Sequence, residues 1–120
     1  MATKPMKEYL LIFRGGANPE DMTPEQMQAT MQNWGAWMEG LKKTNQLSGG
    51  HPLQDGGKLL SGPKGKTVTA LADGPDSIGG YMLIKAKGLT EATKIAKGCP
   101  IFNNGGTAEL RAIQDMSGCE

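Results

Sequence analysis

Apolar residues along this chain repeat with two different periods, and the change of period marks out the elements. From Glu8 to Arg14 the sequence is EYLLIFR, a run rich in strand-forming residues that ends at Gly15-Gly16. Tyr9, Leu11 and Phe13 fall on one side of such a strand and Leu10 and Ile12 on the other, so both faces are apolar. After a polar loop, Thr23-Pro24-Glu25-Gln26 opens a helix. Thr23 is an N-cap, Pro24 suits the first helical position, and Gln26 stands where a capping box needs it. Met27, Met31, Trp34, Met38 and Leu41 then recur every three or four residues as one stripe, with Trp37 on its margin. Lys42 and Lys43 in the last turn oppose the negative end of the helix dipole.

The next twenty or so residues, NQLSGGHPLQDGGKLLSGPKG, carry short strands around Leu47 to Leu53 and Lys58 to Ser61, with glycines that blur their register. Thr67 to Leu71 is a clearer strand, closed by the Asp73-Gly74-Pro75 turn. After Gly79-Gly80, the segment Gly80 to Lys85 (GYMLIK) is a strand with two apolar faces. Thr90-Glu91 is expected to cap a second helix with Ala92, Ile95 and Ala96 on one face, ended by Gly98-Cys99-Pro100. A loop through Asn103-Asn104-Gly105-Gly106 leads to a last strand, Thr107 to Ile113. Strand, helix, several strands, helix, strand is the order of an α+β, ferredoxin-like antiparallel sheet with two helices on one face, here with an extra hairpin. Two helices cover only one side of such a sheet. The apolar opposite face therefore implies a homodimer whose sheets face each other, or else a cover of long loops.

Length and charge narrow the function. The 120 residues make a single domain, 1–120, and 13 basic against 12 acidic side chains leave a net charge of +1, too balanced for electrostatic capture of nucleic acid or of an anionic membrane. The apolar run Tyr9 to Phe13 is too short for a signal segment or a membrane span. Cys99 and Cys119 lack metal-ligand spacing and read as free thiols of a cytoplasmic protein, with a disulfide at the C-terminus as the alternative. Gly65-Lys66-Thr67 looks like the end of a P-loop, but Leu60 stands where the first glycine belongs and the segment runs into a strand. There is no dinucleotide fingerprint, zinc pattern or nucleophile elbow, so no cofactor and no metal are expected.

The candidate chemistry is sparse. His51, in Gly49-Gly50-His51-Pro52, is the one histidine, either a general base or an ordinary surface side chain. Asp73 either forms its turn or orients the His51 imidazole as a carboxylate partner. His51 and Asp73 are thus the candidate catalytic pair. Arg14, at the end of the first strand, and Arg111, beside Glu109 on the last, could each hold a ligand carboxylate or simply pair with an acid. Tyr81 and Trp37 complete the candidate ligand contacts, and Trp34, Trp37 and the methionines equally suit a core or dimer contact.

Taken together, EYLLIFRGG, NWGAWMEGL, QLSGGHPL, ADGP, GGYMLIKAKGLTEATKIAKGCP and GGTAELRAI resemble the YciI-like family, and within it the branch named for an Asp-Gly-Pro-Phe motif. The resemblance spans most of the chain in the right order. It implies a ferredoxin-like fold forming dimeric α/β barrels. It also implies an enzyme role, since YciI proteins carry a His–Asp pair in a cleft and a related member is a chloromuconolactone dehalogenase. Some proteins of the branch are linked with extracytoplasmic-function sigma factors. Asp73, Gly74 and Pro75 match the motif, whereas Asp76 replaces its Phe and the following charged stretch is shortened to Asp76-Ser77-Ile78. His51 lies in the strand after the first helix, not in the region of that helix where the YciI histidine lies, so it is not its equivalent. The resulting expectation is a small carboxylated molecule bound or transformed in a cleft of the dimer. The competing one is a non-catalytic interaction or regulatory module associated with transcription.

Overall fold

The computed structural model describes residues 6–15, 21–54, 56–71 and 77–114; Asp73 and Cys119 lie outside the described residues. Strand β1 (Lys7–Arg14) is followed by helix α1 (Pro24–Lys43), strands β2 (Leu47–Pro52), β3 (Lys58–Ser61), β4 (Thr67–Ala70) and β5 (Ile78–Ala86), helix α2 (Leu89–Lys97) and strand β6 (Thr107–Ala112). Four strands form one sheet in the order β2-β5-β1-β6, all pairs antiparallel. With two helices crossing it, this is the ferredoxin-like α+β arrangement. The extra hairpin, β3 with β4, forms a separate two-stranded sheet.

The two central strands explain the core. Tyr9, Leu11 and Phe13 of β1 are buried, as are Met82, Ile84 and Ala86 of β5, while the residues between them are not. Leu41 of α1 and Ala92 and Ala96 of α2 pack against that face, so both helices cover the same side. Leu11 and Ile84 are completely buried, where truncation of a Leu or Ile to Ala costs about 2–5 kcal/mol. On the other side Leu10, Ile12, Tyr81 and Leu83 are only half-buried, and no described element lies over them.

Helix α1 starts as its sequence implies. Gln26 N–H donates to Thr23 Oγ1 at 3.1 Å and Thr23 N–H to Gln26 Oε1 at 2.9 Å, both halves of a capping box. It ends with Asn45 in the left-handed region (φ 58°), with Asn45 N–H donating to the Lys42 carbonyl and Gln46 N–H to that of Leu41. These two bonds close a Schellman turn, for which Asn is a tolerated substitute for Gly.

Two expectations are corrected, and the stripe on α1, open between core and dimer contact, divides: Leu41 is buried and Trp34 and Met38 pack on the core, but Met27 and Met31 are exposed, Met31 by 68 %. The first half of the helix is exposed apart from the half-buried Thr30. Thr90 does not cap α2. The N-cap is Gly88, two residues earlier and without a side-chain bond, and Glu91 takes up the backbone N–H of Lys87 at 3.4 Å instead. Finally, β5 starts at Ile78 rather than at Gly80, so Gly79 lies inside it as well. A side chain at Gly80 would meet the His51 carbonyl oxygen at 3.2 Å, so the missing side chain lets β2 close on β5.

Candidate functional site

Register decides what the strands present. His51 of β2 stands opposite Tyr81 of β5, Tyr81 opposite Ile12 of β1, and Ile12 opposite Glu109 of β6. Residues directly opposite in antiparallel strands point to the same side, so these four form one row across the sheet. The row lies on the helix-free face, because Met82 and Phe13, the neighbours of Tyr81 and Ile12 along their strands, are buried beneath the helices.

At one end of the row His51 Nδ1 and the Tyr81 hydroxyl are 2.9 Å apart, with ring centroids at 5.8 Å and planes inclined by 53°. A hydroxyl both donates and accepts, and a neutral imidazole offers one N–H and one lone pair. With Nδ1–H donating to the phenol oxygen, Nε2 is left as an acceptor; with the phenol donating, Nε2–H becomes a donor. In either case Nδ1 is committed to Tyr81 and Nε2 is the ring nitrogen left for a further partner. Gly50, beside it, has φ +151°, and a Cβ there would lie 2.5 Å from the Tyr81 carbonyl oxygen. Only glycine lets β2 run this close to β5 with His51 in register.

At the other end Arg14 Nη1 donates to Glu109 Oε1 at 2.6 Å, and Arg111 Nη1 stands 3.9 Å from Glu109 Oε2. Two guanidiniums share one carboxylate, which leaves one positive charge on this part of the row. All three side chains are substantially exposed, so the pairing contributes little to stability and its donors stay available.

A cleft of about 700 Å³ opens on the helix side, and His51 and Tyr81 are among the residues that line it. Trp34 and Met38 of α1 form one wall, Phe13, Leu47 and Met82 the other, and the ends of β2 and β5 its floor. Trp34 stands edge-on to Phe13, with centroids 5.2 Å apart. Trp37 faces elsewhere: it stacks edge-on with Trp34, and its Nε1 lies 3.3 Å from the Cβ position of Gly98 at the end of α2. The structure thus gives Trp37 a packing position between the helices.

Of the candidate residues, His51 and Tyr81 are brought into contact, Arg14 lies further along the same face, and Trp37 is set apart. Asp73 lies outside the described residues, and the partner that the structure gives Nδ1 is Tyr81. No local signal pairs positions 51 and 81; their meeting depends on how β2 aligns with β5. Glu109 also joins the site only through the order of the strands. Among the described residues no cluster of His, Cys, Asp and Glu is arranged to hold a metal ion, and no helix is long and apolar enough to cross a membrane.

The profile of the YCII-related domain matches residues 8–117. The chain belongs to the YCII-related family. Almost every described element falls inside the match, including the four-stranded sheet, both helices and the arm between β2 and β5. No curated protein is significantly similar to the chain. Family membership accordingly accounts for the scaffold that carries the His51–Tyr81 row, and the chemistry of the row rests on its own geometry.

Proposed function

We propose that this YCII-related protein binds, and through His51 transforms, a small carboxylated molecule on the helix-free face of its sheet, with a second copy closing over that face as in a dimeric α/β barrel. The observation that carries this reading is the 2.9 Å contact between His51 Nδ1 and the Tyr81 hydroxyl. It holds the imidazole at a defined orientation on a face that is otherwise apolar at Leu10, Ile12 and Leu83. Strands are about 4.8 Å apart, so Tyr81 and Glu109 are separated by roughly 10 Å with Ile12 between them. A ligand lying along the row would place its carboxylate at Arg14 and Arg111, its apolar part over Ile12, and its reacting carbon near Nε2. There His51 takes or returns a proton and the Tyr81 hydroxyl fixes the ring. A lyase or dehalogenase step fits such a base, and Asp73, in the segment that precedes β5 in sequence, is a further acid of the same site in this reading. The rival, a non-catalytic regulatory module of the Asp-Gly-Pro-Phe branch, would use the same fold without needing an ordered imidazole.

The test is thermal unfolding in the presence of benzoate, muconate and succinate, on the unsubstituted chain and on His51→Ala and Tyr81→Phe. Both positions are solvent-accessible, so the substitutions leave the fold intact. One class of acid is expected to raise Tm by several degrees, a ligand at a hundred times its Kd giving about 2.7 kcal/mol, and the rise is expected to vanish in His51→Ala and to shrink in Tyr81→Phe. A rise that survives in His51→Ala, or none with any acid, contradicts the reading.

A further inference from the structure

Besides the helix-free face of the sheet, two surfaces among the described residues are apolar and uncovered within a single copy. One is the arm, β3 with β4: every residue of both strands is exposed. Leu60 stands opposite Val68 and Lys58 opposite Ala70, which puts these four on one side of the hairpin. Leu60 is 61 % exposed and Val68 54 %. A two-stranded hairpin is marginal by itself, and one with exposed leucines needs a surface to lie on. The other is the first half of α1, where Met27 and Met31 with Pro24 and Gln28 border a shallow hollow of about 540 Å³ that runs on through Met31 towards Trp34.

We propose that the arm of one copy seats its Leu60–Val68 side on the Met27–Met31 surface of α1 in a second copy. The inference rests on the self-association in the reading above and adds where the copies grip each other. Charge points to the same occupant. Residues 56–71 contain Lys58, Lys64 and Lys66 and no acid, whereas residues 21–41 contain Asp21, Glu25 and Glu39 and no base. Opposite charges around two apolar patches select the pairing and its direction. Methionines suit such a surface because their side chains adapt to the shape laid on them.

Topology makes the exchange reciprocal. β2 runs into the arm beyond Pro52, which pairs with Gly80 near the start of β5. β1 runs towards α1 beyond Arg14, which pairs with Ile78 at that same start. Arm and helix therefore begin at one end of the sheet, and a two-fold axis near that end lets each copy give an arm and receive one. The arm does not serve its own helix: Met31 and Leu60 are both more than half exposed in the single copy.

Disulfide capture tests this. Leu60→Cys and Met31→Cys are made separately, each with Cys119→Ser, then mixed, equilibrated and mildly oxidised; Cys99 is buried and stays silent. A covalent heterodimer is expected, in several-fold excess over that formed by Leu60→Cys with Lys43→Cys at the far end of α1. In parallel, Leu60→Asp with Val68→Asp is expected to weaken self-association in sedimentation equilibrium by about tenfold or more. Equal capture at position 43 or no capture at all overturns the proposal, as does an unchanged dissociation constant in the aspartate variant. Carboxylate binding is read separately by Tm on chains without added cysteines. Missing capture with intact stabilisation by an acid overturns the arm contact alone, and capture without such stabilisation overturns the ligand reading alone.

Discussion

His51 and Tyr81 satisfy each other on a face where every neighbour along the row is either apolar or part of an ion pair. The imidazole consequently has Nδ1 committed and Nε2 left over, which suits the proton transfer proposed for it. Cys99 shows the opposite use of a reactive residue. It is 3 % exposed against the α2 side of the core, and burial pushes its thiol from an ordinary 9.0 up to about 11, with the Ile101 backbone N–H opposing the rise. In the unfolded chain the thiol ionises near 9, whereas in the folded chain it keeps its proton until about 11. The stability due to the neutral buried thiol is therefore complete below pH 9 and lost as pH rises towards 11. Urea unfolding across that window is expected to show a fall of about 2–3 kcal/mol that Cys99→Ala lacks. Parallel pH slopes for the two proteins would mean that this thiol is not desolvated.

At the scale of elements, the cap on α1 is the clearest local device in the chain. Thr23→Ala removes the acceptor of the Gln26 N–H bond and is expected to lower the stability by about 1 kcal/mol, read as a lower urea midpoint at unchanged slope; Thr23→Ser is expected to retain it. An unchanged midpoint in the alanine variant would mean that the first turn adds nothing to folding. This cap, the two-sided apolar runs of β1 and β5, and the separate hairpin were all legible in the sequence because each depends on neighbours within a few residues. Thr90 was misleading for a physical reason. Gly88, extended at φ −170°, already supplies the N-cap backbone, so Thr90 falls inside α2 and its hydroxyl is not needed. Met27 and Met31 were legible only as far as core or dimer contact: period alone says that they share a face with Leu41, and only the position of the sheet shows that this face outruns its cover. The site was half legible. His51, Tyr81 and Arg14 stand out by residue type, but their common row follows from the β2-β5-β1-β6 order and from Gly50 and Gly80, which no short window contains.

For the whole molecule, the radius of gyration is 16.8 Å, against about 14 Å for a compact chain of this length. A two-layer domain with a projecting arm accounts for the excess, and the short dimension of 18 Å is that of one sheet and one layer of helices. Such a thin molecule leaves one sheet face, one arm and half a helix to be covered, and pairing with a second copy would cover them together. The ligand reading depends on this, since an open row of His51, Tyr81 and Ile12 excludes water only when something closes over it. Because His51 is the one histidine of the chain, its imidazole ¹H–¹³C signals report the site without assignment by mutagenesis. Titration with benzoate, muconate and succinate to about 10 mM, enough to fill a site of millimolar Kd, is predicted to move these signals saturably with one class of acid. Tyr81→Phe is predicted to weaken that response by about fivefold, the worth of one hydrogen bond. His51 signals that stay still with every acid would contradict the account.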